Sequence, residues 1–166
     1  NANTVKSLIS GTGSIEKNGA GALTLDRCGH DANTFTGGLT VNAGSATLTC
    51  GLPNAPISHS VPLTLAAANG TTETYANSIT GTGNVNFGDS THTGTILLTG
   101  ANTLGGTNTV AYGTLLVGNS NNQGSVTGNI SVNSGAKIGG SGTINGNVTM
   151  AAGSILSPGN SIGTTI

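Results

Sequence analysis

The 166-residue chain predicts an all-β fold: a single-stranded, right-handed parallel β-helix of about seven or eight coils. Three observations predict it. Gly 29, Thr 27, Asn 20 and Ser 16 make up more than half of the residues, and these types are poor helix-interior formers. Short apolar–polar–apolar triplets recur between turn formers, the period of a half-buried strand. Stretches of sequence also repeat at fixed offsets, the mark of stacked coils.

The triplets come in order along the chain. Leu23-Thr24-Leu25, Leu39-Thr40-Val41, Leu63-Thr64-Leu65, Ile130-Ser131-Val132 and Val148-Thr149-Met150 each present one apolar face. Between them lie Asn18-Gly19, Gly37-Gly38, Ala43-Gly44, Asn69-Gly70, Gly139-Gly140, Asn145-Gly146 and Pro158-Gly159. Gly and Asn supply the positive φ angles of tight corners. The weak helical candidate is Leu63 to Asn69, with its Ala66-Ala67-Ala68 run. A lone strand cannot bury its face, but coils stacked about 4.8 Å apart can, giving a rod roughly 35–40 Å long. The narrow lumen favours branched aliphatics over aromatics, and Thr and Asn suit outer ladders.

Two repeats organise the chain. In the shorter one, Gly128-Asn129-Ile130-Ser131-Val132 returns without gaps as Gly146-Asn147-Val148-Thr149-Met150, and the same offset maps Ile138 onto Leu156. In the longer one, Ile9 to Ile15 matches Ile79 to Val85, and Asn33-Thr34-Phe35-Thr36-Gly37-Gly38 matches Asn102-Thr103-Leu104-Gly105-Gly106 with one deletion. The expected plan is one domain over 1–166: a repeat block 1–50, an irregular insertion 51–75, a second block 76–117, and 18-residue coils 118–166.

Charge excludes several classes. The nine charged side chains sum to −1, with no Lys/Arg cluster for nucleic acid. No stretch approaches the roughly 20 apolar residues of a transmembrane helix. Asn1 in place of Met reads as a terminus made by processing or by cloning. Glu16, Lys17, Asp26, Arg27 and Asp31 crowd the start, and from Ala32 onward only Glu73, Asp89 and Lys137 remain. A nearly uncharged Gly/Thr/Asn/Ser surface has little long-range repulsion between copies.

The run Asn33-Thr34-Phe35-Thr36-Gly37-Gly38-Leu39-Thr40-Val41-Asn42-Ala43-Gly44, with Gly21-Ala22-Leu23-Thr24-Leu25 upstream, resembles the passenger-associated transport repeat of bacterial autotransporters. Gly94 to Val117 resembles a degenerate copy. The tail from Gly140 to Val148, then Leu156-Ser157-Pro158-Gly159-Asn160-Ser161-Ile162-Gly163-Thr164, resembles the end of many passengers. The resemblance implies a secreted or surface-displayed bacterial β-helix acting as adhesin, autoaggregation factor or stalk. It also implies a C-terminal membrane barrel that these 166 residues do not include. That leaves a piece of a longer chain, a cleaved passenger or a free subunit.

Candidate sites are few. Cys28 and Cys50 stand about one coil apart, which places their Cα atoms within disulfide reach. A disulfide is the leading expectation for an exported chain, with reduced stacked thiols the alternative. Metal binding by Cys28, His30, Asp31 and Cys50 ranks last, because Cys-x-His is not a zinc spacing. This charged cluster reads as a loop projecting from the rod. Asp89, Ser90 and His92 share one turn, which reads as a triad only with an oriented base and an oxyanion site, and otherwise as a solvated turn. Thr-x-Thr pairs such as Thr34/Thr36 and Thr93/Thr95 are too irregular for an ice-binding array.

The expected function is therefore a non-enzymatic extracellular module, with no cofactor or metal. It would associate with itself end-to-end or side-by-side, or meet a host or neighbouring-cell ligand. The alternative is a filament subunit stacking head-to-tail through open β-helix ends. A polysaccharide-acting enzyme ranks lowest, for want of facing carboxylates.

Overall fold

The computed structural model describes residues 2–119, 121 and 123–159. The tail positions Asn160-Ser161-Ile162-Gly163-Thr164 lie outside the described residues. Twenty-two short strands and no helix occur among the described residues. Every ladder between them is parallel.

The strands form three long faces of a solenoid. The first face stacks β1 (Ala2–Val5), β4 (Ala22–Asp26), β7 (Ser45–Thr49), β9 (Leu63–Ala66), β12 (Val85–Phe87), β15 (Asn108–Val110), β18 (Ile130–Val132) and β21 (Val148–Met150). The second stacks β10 (Thr72–Tyr75), β13 (Thr95–Leu98), β16 (Thr114–Val117), β19 (Lys137–Gly140) and β22 (Ile155–Pro158). The third stacks β3 (Ile15–Lys17), β6 (Leu39–Val41), β8 (Ile57–His59), β11 (Ile79–Gly81), β14 (Ala101–Leu104), β17 (Ser125–Thr127) and β20 (Thr143–Asn145). In the first two coils, β2 (Ser10–Gly11) and β5 (Thr34–Phe35) pair between the first and third faces. The eight strands of the first face mark about seven turns.

Coil length varies while register holds. Along the first face the step from Ala46 to its partner Leu63 is the shortest, and the step from Val85 to Asn108 is among the longest. The short repeat seen in the sequence is one of these coils: Ile130 pairs with Val148, Val132 with Met150 and Ile138 with Leu156. Variation is absorbed at the corners, because only the strands must align.

Three expectations need correction. Residues 51–75 are not an irregular insertion, since β8, β9 and β10 join the faces in register with their neighbours. This coil is short because the chain passes from β7 to β8 without a second-face strand, burying Leu52 and Ala55 on the way. Leu63 to Ala66 is β9 and not a helix, because its alternate side chains fill the lumen between β7 and β12. The lumen also accepts aromatics: Phe35, Tyr75 and Phe87 are at most 1% exposed, and of the four aromatic residues only Tyr112 is exposed. The Tyr75 hydroxyl donates to the Ala55 carbonyl and, at 3.4 Å, to that of Ser78, so its polar end is satisfied inside.

Strand alternation builds the rest of the core. In β6, β8, β12, β15 and β18 the outer residues are buried and the middle one is half-exposed. Outside, Ser58 donates to Thr40 at 3.2 Å, Asn42 to Asn18 at 2.7 Å and Asn77 to Asn54 at 2.8 Å, all between neighbouring coils.

The repeat motif sits at corners and at the strand starts beside them. Asn33 is buried and its Oδ1 accepts the Ile9 amide at 3.0 Å. In the second block Asn102 is buried and its Oδ1 accepts the Ile79 amide, also at 3.0 Å. These are the residues that the longer repeat superposes. Asn102 Nδ2 donates in addition to the Gly100 and Ser125 carbonyls, at 2.9 and 3.1 Å, tying three coils together. The motif is nevertheless rotated by one face between blocks: β6 lies on the third face, whereas its counterpart β15 lies on the first.

Glycine is required where corners touch. A Cβ on Gly37 would stand 2.5 Å from the Gly13 carbonyl carbon, and one on Gly44, at φ +73°, 2.3 Å from the Gly21 oxygen. Gly38 abuts Pro56, and Gly146 stacks on Gly128. Asn129 Oδ1 accepts the Asn147 amide at 2.9 Å one coil on, and Asn84 does the same for Thr107.

Removing the Asn102 side chain leaves the buried Ile79 amide without its partner and takes one donor each from the Gly100 and Ser125 carbonyls, the former keeping the Ser125 amide at 3.0 Å. Asn102→Ala is expected to lower the unfolding free energy by about 1–3 kcal/mol, the cost of one buried unsatisfied amide. Asn77→Ala, at a half-exposed surface position, is expected to change it by less than about 0.5 kcal/mol. Urea titration of both variants measures the difference.

Candidate functional site

The densest chemistry gathers beside the first face, where Cys28 follows β4 and Cys50 follows β7. Asp26 pairs with Thr49 in that ladder, which carries the next residues of both coils to one spot. The sulfurs are bonded, with S–S 2.04 Å and Cα–Cα 4.9 Å. Closing this 22-residue separation contributes on the order of 3 kcal/mol by chain entropy. Cys50 is the one non-glycine residue with positive φ, +54°, among the described residues, a backbone state that costs roughly 1–2 kcal/mol. Its amide remains bonded to the Ala66 carbonyl at 2.9 Å.

Arg27 anchors the loop after β4. Its side chain is buried, donating from Nε to the Asp31 carbonyl at 2.7 Å and from Nη1 to the Lys6 carbonyl at 2.6 Å. The Cys28 amide donates to Asp26 Oδ1 at 3.1 Å, and this bond is the main reason the Asp26 carboxyl sits below its usual range. Lys6 lies 3.3 Å from Asp26 Oδ2, but it is largely exposed and adds little. His30 and Asp31 are at the exposed tip. Beside this loop a polar groove of about 570 Å³ is lined by Arg27, His30, Asp31, Cys50, Thr71 and Glu73.

The histidine that meets the cysteines is not the one their spacing suggests. An imidazole nitrogen of His92, in the turn after β12, and the sulfurs of Cys28 and Cys50 all lie within 4.8 Å of one another. The His30 imidazole is not part of that cluster. Asp89 shapes the turn: Oδ1 accepts the Thr91 and His92 amides, both at 2.8 Å, and the Thr91 hydroxyl at 2.7 Å. His92 Nδ1 lies 2.9 Å from Asp89 Oδ2. Partial burial raises the Asp89 carboxyl, but the hydrogen bonds from Thr91 and His92 outweigh it and hold it below the ordinary value. The hydroxyl beside the imidazole belongs to Thr91, not Ser90, and its proton points at the carboxylate. No Ser–His pairing arises from this turn among the described residues.

The third histidine has a structural place. His59 is buried on β8, with Nδ1 on the Val61 carbonyl at 3.0 Å and Nε2 without a partner. Desolvation pushes its pKa below the usual imidazole value. A base with a depressed folded pKa takes up its proton more readily when unfolded, so stability falls with acidification. The loss begins as pH drops through about 6.5, the unfolded imidazole value, and continues to the lower folded value. His59→Gln is expected to remove this part of the pH dependence in urea unfolding measured from pH 7.5 to 5.

Residues 15–49 match the family model described as the passenger-associated transport repeat. That span runs from β3 through β7 and includes Asn33, Thr34, Phe35, Thr36, Gly37, Gly38 and Gly44. The chain is also 34% identical over 120 residues to the adhesin BmaC autotransporter of Brucella suis biovar 1. The match covers 72% of this chain and 3% of that relative. No solved structure matches significantly. Buried Asn33 and the close-packed Gly37 and Gly44 thus fall inside a span recognised independently of them, and the chain is a parallel β-solenoid that carries an autotransporter passenger-associated transport repeat over residues 15–49.

Proposed function

We propose that the chain is a non-enzymatic, surface-displayed adhesive rod, presented outside a bacterial cell. The observation that carries this reading is its similarity to an adhesin autotransporter over 120 residues. The surface fits that role. After Ala32 the sequence has only Glu73, Asp89 and Lys137 as charged groups. A side wall of Thr, Asn, Ser and Gly offers hydroxyl and amide groups without charge repulsion, to another cell's surface or to a second copy lying alongside. A rod of continuous parallel ladders carries such a wall away from the membrane without hinges.

Catalysis is not part of the proposal. Asp89 binds the Thr91 hydroxyl that a His92 base would need. The test uses beads coated with the folded chain and applied to host-cell monolayers and to each other. Beads carrying the native chain are expected to adhere or cluster well above beads carrying the heat-unfolded chain. Adhesion and clustering equal to those of albumin-coated beads would overturn the adhesive role.

A further inference from the structure

We propose that Cys28, Cys50 and His92 form a redox-gated site for a thiophilic divalent cation of the Zn²⁺ class, open when the cysteines are reduced and closed when they form the disulfide. The three donors come from three separate coils, yet their ligand atoms lie within 4.8 Å of one another. Two sulfurs and one imidazole are a donor set suited to zinc, with a fourth position left for water.

The surroundings fit a ligand set. His92 already rests on a carboxylate, with Nδ1 2.9 Å from Asp89 Oδ2. Metal-binding histidines usually place their second nitrogen on such a partner, which fixes the tautomer and leaves the other nitrogen free to ligate. The amides of Thr91 and His92 hold that carboxylate in place. Tetrahedral coordination at ordinary zinc distances needs the sulfurs about 3.8 Å apart and each about 3.6 Å from the nitrogen. With the disulfide broken the side chains can separate that far, and an imidazole nitrogen of His92 already lies within 4.8 Å of both sulfurs. Cys50 also lines the polar groove, which gives a cation a route from solvent.

The chemistry balances. A phosphine attacks one sulfur and the S–S bond breaks. Water then supplies the oxygen of the phosphine oxide and the protons of both thiols. The cation displaces those two protons as it binds. Oxidised glutathione reverses the change: two thiolates exchange with it, the intramolecular disulfide re-forms, two glutathione thiolates leave, and the cation is released.

The test reduces the chain with a phosphine under nitrogen, counts thiols and titrates Co²⁺ as the spectroscopic probe. The reduced chain is expected to bind one Co²⁺ with thiolate-to-cobalt charge-transfer absorption, and the oxidised chain none. Addition of oxidised glutathione should abolish the absorption. Asp89→Asn is expected to weaken binding about 10–100-fold, as for other carboxylate partners of a ligating histidine. His92→Ala should weaken it at least as much, and the Cys28→Ser/Cys50→Ser double variant should bind no Co²⁺. Absence of the band in the reduced wild-type chain would overturn the proposal. So would equal affinity in His92→Ala and Asp89→Asn to that of the wild type, which is also the outcome if reduction unfolds the chain and only free thiols bind.

Discussion

Neighbouring coils must approach as closely at the corners as they do along the strands, and the rest of the structure depends on meeting that constraint. Parallel ladders fix the spacing at about 4.8 Å. A side chain on a corner facing its neighbour would force the coils apart, and a corner amide without a partner would be buried unsatisfied. Glycine answers the first problem, as Gly37 over Gly13 shows. Asparagine answers the second, as Asn33 on the Ile9 amide and Asn102 on the Ile79 amide show. The unusual composition is the consequence: these corners use residues that would be unhelpful in a helix or an aromatic-rich core.

With the corners satisfied, the faces gain latitude. Coils of unequal length, such as those from Ala46 to Leu63 and from Val85 to Asn108, stack without loss of register. The repeat motif sits on different faces in the two blocks, because any corner accepts the same asparagine and glycines. The lumen is wide enough in places for Phe35, Tyr75 and Phe87, and the Tyr75 hydroxyl finds carbonyls inside. Charged groups are not needed to hold coils together. Exceptions include buried Arg27 near the start, which ties a loop to the backbone of two neighbouring segments, and Glu73, whose carboxylate accepts the Leu52 amide at 3.4 Å.

The all-β solenoid was legible because Ile130-Ser131-Val132 and its copy Val148-Thr149-Met150 carry both the strand period and the coil period. The one-coil spacing of Cys28 and Cys50 was legible for the same reason. Residues 51–75 read as an insertion because their coil lacks the motif, although Leu63-Thr64-Leu65 carries the strand alternation that places it on the first face. His92 was not legible as a neighbour of the cysteines. It is separated from Cys50 by an entire coil, and only the fold of its own turn, set by Asp89, brings it there. The burial of Asn33 and Asn102 was hidden too, since asparagine in a turn ordinarily signals an exposed loop.

Residue-resolved amide hydrogen exchange on the native chain tests the corner constraint most directly. The Ile9 amide, just ahead of β2, and the Ile79 amide, at the start of β11 where the corner enters the strand, are bonded to asparagine side chains. If corners hold the coils as tightly as ladders do, the Ile79 amide will be protected to the same degree as the strand amides of its own coil, and the Asn102→Ala variant will lose that protection selectively. An Ile79 amide that exchanges as fast as those of exposed turns, while the flanking strands stay protected, would contradict the account.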